Sequence, residues 1–304
     1  MKQTPKTKVL YIASQERSGS TLISQILGQL HGFISVGELY IIWRYGLMEN
    51  RLCGCSVSFN DCQFWQEVLE KADLGQIDPQ KMFQLSRKLV RYFPLAFLPG
   101  GSKFLMSLLG NYPATVEKLY SKIPTITGSR VIIDASKSLV HYYLLSQLPT
   151  LDVYLVHLVR DPRGVEFSLI KRKLQGVPEF LHHSLVKGSL AWTAKNILME
   201  WLGNKTPDRY LRIRYEDFVR QPDLNLRKIC NLLQEDVVSL PLVKNNQFTV
   251  TSNHVIAGSP QRFRSGVDRL KLDEAWKEKM TANDLQKVTL LTFPLLARYE
   301  YHND

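Results

Sequence analysis

The chain has 304 residues, of which 44% are hydrophobic and 22% are charged, and this balance excludes a wholly disordered protein and allows a large core. The formal net charge of +11 favours anionic partners such as nucleotides, phosphorylated or sulfated molecules, acidic surfaces or nucleic acid. The first eight residues are polar, and proline, glycine and lysine interrupt the apolar stretch over residues 93–109. We therefore expect no signal peptide and no membrane span, and a cytoplasmic protein, while the oligomeric state stays open.

Apolar runs of β type alternate with helical patterns along the chain. The predicted strands cover residues 9–13, 33–36, 131–134, 153–159 and 210–213. The predicted helices cover residues 21–30, 64–71, 78–92, 103–123, 141–148, 189–202, 224–233 and 282–297, and another begins near residue 164. This alternation predicts an α/β fold with three layers, α/β/α, around a central parallel sheet. In such folds ligands bind beyond the carboxyl ends of the strands.

Residues 40–127 are predicted to form a mostly helical insertion that covers one side of the sheet. No internal repeat and no low-complexity linker marks a second domain, so we expect residues 1–304 to form a single domain. A polar loop is expected over residues 247–267.

A short polar turn joins the first predicted strand to the first predicted helix. Its residues are Arg17, Ser18, Gly19, Ser20, Thr21 and Leu22. A helix that starts at the end of a strand presents unpaired N–H groups and the positive end of its dipole, which together bind anions. Arg17 adds a positive charge and the serines and threonine add hydroxyls. The turn lacks the first glycine and the lysine of a Walker P-loop, but it still predicts a P-loop-like site for a phosphate-like group.

A second basic cluster follows the predicted strand over residues 153–159. Arg160 stands directly after this strand, and Ser168 lies about two helical turns farther on. A guanidinium can bind a phosphate through two parallel hydrogen bonds, and the serine hydroxyl can reach back to the same group. Taken alone, the cluster is also compatible with a strand-end arginine beside the helix cap that Asp161 and Pro162 provide.

Both clusters resemble motifs of the sulfotransferases that use 3′-phosphoadenosine 5′-phosphosulfate (PAPS). Residues 17–22 resemble the 5′-phosphosulfate loop of the carbohydrate, tyrosylprotein and bacterial branches. Residues 156–163 with Ser168 resemble the 3′-phosphate motif, which implies that Arg160 and Ser168 hold the 3′-phosphate. Anion sites at the ends of two strands suit a ligand with phosphates at both its 5′ and 3′ positions, so the resemblance implies PAPS as co-substrate.

Three further segments fit the same family. Residues 134–138 are similar to the Asp-Ser-Ser-Lys segment of bacterial members, and residues 214–218 resemble the recurrent Arg-Tyr-Glu-Asp-Leu. Residues 258–266 resemble the late loop that closes over the nucleotide. The nucleotide contacts that these segments imply are Tyr215, Arg262, Phe263 and Arg264.

The resemblance implies in-line transfer of a sulfuryl group to an acceptor, without a metal ion. Arg17 and the turn that follows it would stabilise the charge that develops during transfer. The chain lacks the histidine of the branch that sulfates phenols and steroids, so another group must act as base. Glu38 is the first choice because the Gly-Glu pair resembles the segment whose glutamate is the base in tyrosylprotein and bacterial members; the alternative is a solvated helix cap. Asp134 is the second candidate, and Lys137 either binds the sulfuryl group or is a surface lysine.

The cysteines and histidines are interpreted as structural or solvated. Cys53, Cys55 and Cys62 lie close together, but their spacing is a poor match to a zinc site, so we expect reduced structural cysteines and no metal. His157 is expected to be buried and hydrogen-bonded inside a strand. His182, His183 and His254 lie in polar segments, where we expect them to be solvated.

Two other functions remain open from the residues. One is a nucleotide-dependent kinase or NTPase, and the other is a non-catalytic protein that binds a nucleotide or polyanion. No nucleic-acid-binding motif is present, so nucleic acid is not an expected partner. The family branch favours a carbohydrate or tyrosyl acceptor, whereas the apolar residues 93–109 would suit a lipid-like or aryl small molecule. We expect residues 40–127 to cap the acceptor side and, with the late loop, to build the acceptor pocket.

Overall fold

The computed structural model describes residues 6–236, 243–251 and 253–302. The strands are β1 (Thr7–Ser14), β2 (Phe33–Gly37), β3 (Val131–Asp134), β4 (Leu151–Val159), β5 (Tyr210–Arg214), β6 (Gln247–Val250) and β7 (Gly266–Arg269). The helices before β4 are α1 (Ser20–Leu27), α2 (Gln63–Lys71), α3 (Pro79–Tyr92), α4 (Gly101–Leu108), α5 (Tyr112–Thr127) and α6 (Leu139–Ser146). The later helices are α7 (Pro162–Leu174), α8 (Leu185–Gly203), α9 (Tyr215–Arg220), α10 (Pro222–Leu233), α11 (Ala275–Lys279) and α12 (Ala282–Arg298).

Five strands form the central parallel sheet in the order β2-β3-β1-β4-β5. β1 pairs in parallel with β3, Lys8 opposite Val131 through Tyr11 opposite Asp134, and β2 also pairs in parallel with β3. From β1 the chain runs to β2 on one side, and it later reaches β4 on the other. The loop after β1 therefore lies at a topological switch point, where ligands bind in this class of fold. The predicted P-loop-like α/β fold with a central parallel sheet is confirmed.

Strands β1 and β4 are buried over most of their length. In β1 every residue from Val9 to Ser14 is buried, and β4 has a single half-buried position among nine residues. Continuous apolar runs of this kind are typical of parallel strands covered on both faces.

Helices occupy most of the segment between β2 and β3. A short helical turn over Leu39–Ile41 and a π-helix over Ile42–Met48 precede α2 to α5. α3 begins where the sequence pattern indicates, because the Asp78 side chain accepts a hydrogen bond from the Lys81 N–H (3.2 Å) and Pro79 occupies the first helical position.

The chain divides into two compact units. The first comprises Met1–Ile12, Thr21–Leu155 and Phe248–Asp268, and the second comprises Ala13–Ser20, Val156–Gln247 and Arg269–Asp304. Large side chains fully buried in the first unit are Trp43, Trp65, Tyr112, Tyr120 and Phe59. A core cluster of the second unit contains Val159, Val165, Leu169, Trp192, Leu295, Leu296, Tyr299 and Tyr301. That residues 1–304 act as one domain stays a prediction.

The segment expected to be a polar loop, residues 247–267, begins with β6 and ends in the first residues of β7, which pairs with β6, so that expectation is wrong at both ends of the segment. Phe248 and Val250 are buried while Gln247 and Thr249 are exposed, which is the alternation of a half-buried strand. Within the described ranges, no helix combines the length and the apolar character that crossing a bilayer requires.

Candidate active site

Inside the second unit, the loop after β1 contacts two residues that were predicted to bind a phosphate. They are Arg160, which follows β4, and Ser168 of α7. The Arg17 guanidinium donates from Nε to Ser168 Oγ (3.0 Å). Arg160, directly after β4, donates from Nη1 to the carbonyl oxygen of Arg17 (2.7 Å). The structure thus joins Arg17, Ser168 and Arg160 in one hydrogen-bonded group.

Gly19 gives this loop its shape. Its φ of +90° lies in the left-handed region, which favours glycine, and a Cβ atom here would lie 2.5 Å from the Tyr215 ring. The same ring packs against the Arg160 guanidinium, with the carbon centre 4.9 Å from the ring centroid. Burial raises the pKa of Tyr215, so the phenol stays neutral. Tyr215, predicted as a nucleotide contact, supports both the loop and Arg160.

Asp273 is a further partner of Arg160. The guanidinium donates from Nη2 to the Asp273 carbonyl oxygen (2.9 Å) and to its carboxylate (3.1 Å). The aspartate side chain is half exposed. Nothing in the sequence indicates this partner, because Asp273 lies 113 positions after Arg160 and belongs to no motif.

A cavity of about 180 Å³ opens beside this group. Its lining residues are Arg17, Phe167, Ser168, Lys171, Arg172, Gln175, Asp273 and Ala275. Three cations and one carboxylate give the lining an excess of positive charge that suits a phosphate or sulfate ester. Lys171 and Arg172 were also missed, although they follow Ser168 by three and four positions, the spacing that places side chains on one helical face.

Burial and the nearby charges of Arg172 and Arg160 lower the pKa of Arg17. An arginine starts from so high a pKa that the guanidinium still carries its charge. The loop hydroxyls are also buried: Ser18 is 1% exposed and Ser20 is 2% exposed. Among the residues that the structure describes, Ser18 Oγ has no hydrogen-bond partner. A buried hydroxyl without a partner is costly, and an anion oxygen would satisfy it.

The end of the loop contacts the late segment inside the first unit. Thr21 Oγ1 accepts a hydrogen bond from the Ser259 N–H (3.3 Å), and Leu22 is half-buried. A Cβ atom on Gly258 would lie 3.2 Å from Thr21 Oγ1 and 3.9 Å from Glu38 Oε1. The threonine hydroxyl and the Glu38 carboxylate therefore border the same glycine.

Glu38 forms an ion pair with Lys137. Their side chains are only 20% and 14% exposed, and Lys137 has a φ of +62° that turns the backbone sharply after β3. In the described part of the chain, the Glu38 side chain makes no hydrogen bond that caps the short helical turn after it. Neither the solvated helix cap nor the surface lysine that the sequence left open is observed.

Asp134 lies deeper, with no exposed surface. One carboxylate oxygen accepts from the Ser136 N–H (2.7 Å) and the Ser136 hydroxyl, and the other accepts from the Tyr120 hydroxyl. The Tyr120 hydroxyl is also 2.9 Å from Nε2 of His141. Burial raises the pKa of Asp134 to about 6 and lowers that of His141 to about 3. Both oxygens of Asp134 are occupied by protein donors.

The three late residues predicted to contact the nucleotide differ in their surroundings. Arg262 donates from Nη1 to the Gly258 carbonyl oxygen (2.9 Å) and stacks on the Phe263 ring (4.2 Å to the centroid). Burial lowers the pKa of Arg262, and its Nε is buried without a partner in the described ranges. Arg264 instead lies at the surface, where it pairs with Asp268 (3.3 Å).

Two of the four histidine predictions, for His157 and His182, are confirmed, and two are wrong. His157 is fully buried between Asn196 (2.7 Å) and the Tyr210 hydroxyl (2.9 Å), and burial lowers its pKa to about 4, as a structural histidine requires. His182 is exposed, but His183 is 2.7 Å from the buried carboxylate of Glu166.

His254 is not solvated either, because it lies among Cys53, Cys55 and Cys62. The cysteines are reduced, as expected, and the structure adds an imidazole to their group. Sequence spacing could not show this group, because the imidazole comes from a segment 192 residues after Cys62.

Comparison with known proteins identifies the family and the fold. Residues 10–238 match the Sulfotransferase family, whereas no curated protein sequence matches the chain significantly. The fold is similar to that of the sulfotransferase domain from the curacin biosynthetic pathway (TM-score 0.54, 16% identity, 94% of this chain and 98% of that chain covered). It is also similar to the sulfotransferase domain from the Synechococcus PCC 7002 olefin synthase (TM-score 0.50, 20% identity, 95% and 96% covered). Since the family match spans most of the chain, the protein belongs to the sulfotransferase family.

Proposed function

We propose that the protein transfers the sulfuryl group of PAPS to a hydroxyl or amine acceptor. The observation that carries this proposal is the group of Arg17, Ser168 and Arg160, which lies beside a cavity with an excess of cations. Membership of the sulfotransferase family supports the same reaction.

Each member of the group has a defined part in the proposal. Arg17, the N–H groups from Gly19 to Thr21 and the hydroxyls of Ser20 and Thr21 stabilise the negative charge that develops on the sulfuryl oxygens and on the bridging oxygen. Arg160 and Ser168 bind the 3′-phosphate. Arginine and the helix N-terminus supply positive charge directly, so the proposed transfer needs no metal ion.

Glu38 is the base in this proposal. Its partly exposed carboxylate borders Gly258 beside the Thr21 hydroxyl and lies against the ammonium of Lys137. Asp134 is less suited to proton abstraction, because it has no exposed surface and both of its oxygens already accept hydrogen bonds. Lys137 orients Glu38 and remains a candidate for binding the sulfuryl oxygens.

The acceptor is a small molecule, a carbohydrate or a tyrosyl group. We propose that the helical segment over residues 40–127 caps the acceptor side, together with the late segment that carries Gly258 and Arg262. A cytoplasmic location stays a prediction, and the four free cysteines are compatible with it.

A ligand comparison separates the proposal from a kinase or NTPase. Adenosine 3′,5′-bisphosphate is expected to raise the melting temperature of the protein, whereas ATP with magnesium is expected to raise it far less. Equal stabilisation by both nucleotides would favour the kinase or NTPase.

Transfer of ³⁵S from labelled PAPS to a panel of acceptors then tests catalysis. We expect Arg17→Ala to lose at least about 100-fold in transfer rate, since it removes a charged donor that acts in the transition state. Arg227→Ala, which alters an exposed arginine of α10, is the matched control and keeps the rate. Undiminished transfer by Arg17→Ala would contradict the proposal, and nucleotide binding without transfer would indicate a non-catalytic binder.

A further inference from the structure

Cys53, Cys55, Cys62 and His254 form a compact cluster in the first unit, apart from the residues used in the proposed reaction. Each residue offers one ligand atom, and these four atoms all lie within 4.8 Å of one another. The Cys62 sulfur is 3.7 Å from the sulfurs of Cys53 and Cys55. Nδ1 of His254 is 3.3 Å from the Cys62 sulfur and 3.9 Å from the Cys53 sulfur.

The four individual separations, from 3.3 to 3.9 Å, are close to those of ligands around one tetrahedral metal ion. With Zn–S bonds of about 2.3 Å and Zn–N bonds of about 2.0–2.1 Å, tetrahedral geometry places two sulfurs about 3.8 Å apart and a sulfur and a nitrogen about 3.6 Å apart. Three thiolates and one imidazole are a ligand set of structural zinc sites. We infer that Cys53, Cys55, Cys62 and His254 bind a structural zinc ion.

The backbone holds the cysteine side of the cluster in place without a metal. The Cys53 N–H donates to the Val57 carbonyl oxygen (2.8 Å), and the Ser56 N–H donates back to the Cys53 carbonyl oxygen (2.8 Å). Ser56 has a φ of +68°, which closes this turn and returns the chain toward Cys62. The turn places the side chains of Cys53 and Cys55 beside that of Cys62.

Contacts with the segment that carries the cysteines hold His254 in position. The Phe64 ring stacks on the imidazole, with centroids 4.6 Å apart and planes inclined by 20°. The Trp65 indole N–H donates to the His254 carbonyl oxygen (2.9 Å), and the Gly54 N–H donates to the Val255 carbonyl oxygen (2.9 Å). These contacts hold the imidazole with Nδ1 toward the sulfurs.

Four protein ligands leave no open position, so the zinc is structural and not catalytic. It links the segment after β2 with the late segment of the chain. From His254 that segment runs along β2, where the Ile256 N–H donates to the Val36 carbonyl oxygen (3.2 Å), and it reaches Gly258 beside Thr21 and Glu38. The zinc thereby fixes the segment that borders the proposed base. This inference does not depend on the proposed sulfuryl transfer.

Metal analysis of the full-length chain, purified with zinc and a thiol reductant, tests the inference directly. We expect about one zinc ion per chain by mass spectrometry of the metal content. Cys62→Ser and His254→Ala are expected to lose most of this zinc. Cys230→Ser, which alters the remaining buried cysteine of α10, is the matched control and keeps it. Absence of bound zinc from the wild-type chain, or equal loss from the control, would overturn the inference.

Cobalt replacement examines the geometry in the wild-type chain, so the test survives if the variants fail to fold. Bound cobalt is expected to show the intense visible bands of tetrahedral coordination and a thiolate-to-metal charge-transfer band in the near ultraviolet. Cys55→Ser, which removes the one half-buried sulfur ligand, is expected to weaken the charge-transfer band. An octahedral spectrum would overturn the assignment, as would a disulfide between any two of these cysteines in the zinc-treated wild-type chain.

Discussion

At the scale of single residues, the ion pair between Glu38 and Lys137 supports the proposal that Glu38 is the base. Replacing one carboxylate oxygen with an amide nitrogen tests this proposal. Glu38→Gln keeps the shape of the side chain but removes the carboxylate. We expect turnover to fall on the order of 10²- to 10⁴-fold, the usual contribution of a positioned base, while affinity for adenosine 3′,5′-bisphosphate changes little. Transfer of ³⁵S and calorimetric titration measure the two quantities separately.

Glu300→Gln is the control for that substitution, because Glu300 is an exposed carboxylate 3.9 Å from Arg214 and lies outside the proposed acceptor cap. It is expected to keep full turnover. If Glu38→Gln also keeps its turnover, Glu38 is not the base, and Asp134→Asn becomes the next variant to measure.

The contact between Arg160 and Asp273 leads to a prediction about affinity. A phosphate bound by Arg160 would lie close to the Asp273 carboxylate and be repelled by it. Removing one charge about 4 Å away at a solvent-exposed position changes the interaction by about 1 kcal/mol, so Asp273→Asn should bind adenosine 3′,5′-bisphosphate roughly five-fold more tightly. Calorimetry at low salt measures this change. Asp208→Asn is the exposed control, and weaker binding by Asp273→Asn would mean that the aspartate instead holds Arg160 in position.

The functional residues were predictable from the sequence only where they belong to a recognisable motif. Arg17, Arg160 and Ser168 stand in recognisable segments, and the structure joins them in one hydrogen-bonded group. Asp273 and His254 act through contacts with residues 113 and 192 positions away, and nothing in their neighbouring sequence indicates those partners.

At the scale of secondary-structure elements, the turn between β1 and α1 depends on one glycine. Gly19→Ala would place a methyl group against the Tyr215 ring at a φ of +90°. We expect a loss of about 1–3 kcal/mol in the free energy of unfolding and a large loss of affinity for adenosine 3′,5′-bisphosphate, because the loop must move. Urea unfolding and a binding titration measure the two effects.

Gly128→Ala separates backbone strain from the contact with Tyr215. Gly128 ends α5 with a φ of +66°, and a Cβ atom there would meet nothing within 4 Å. This control should lose about 1–2 kcal/mol in the free energy of unfolding and bind the nucleotide normally. Normal binding by Gly19→Ala would show that the turn tolerates another shape.

Element types were predictable where apolar residues repeat with one clear period. The five strands of the sheet are short apolar runs, and each was located within a few residues of its observed bounds. β6 and β7 are not evident in the sequence because each has only four residues, and β7 has no buried residue that would give it an apolar pattern. No residue pattern in Ile42–Met48 marks a π-helix, so only the structure distinguishes this element from an α-helix.

At the scale of the whole molecule, buried neutral histidines make stability depend on pH. Burial lowers the pKa of His157 to about 4, whereas an unfolded chain binds this proton near pH 6.5. Between these values the unfolded state binds more protons than the folded state, so the free energy of unfolding falls as the pH is lowered from about 6.5 to about 4. At pH 5 this one histidine costs about 2 kcal/mol of stability.

His157→Gln removes the imidazole that takes up this proton in the unfolded chain, and it keeps a hydrogen-bonding side chain between Asn196 and Tyr210. Between pH 7 and pH 5, we expect the free energy of unfolding of the variant to fall by about 2 kcal/mol less than that of the wild type. Urea unfolding at both pH values measures this difference. His31→Gln, an exposed histidine, is the control and should follow the wild type. An unchanged pH dependence in His157→Gln would mean that the buried imidazole is protonated in the folded protein.

The order in which the chain is synthesised has a consequence for the cluster of Cys53, Cys55, Cys62 and His254. The imidazole leaves the ribosome 192 residues after Cys62. At about 5–20 residues per second, the three thiols wait on the order of 10 to 40 seconds before their fourth partner exists. The three thiols must stay reduced during that interval. The redox state of the cell during translation therefore governs how much protein is made with the complete cluster.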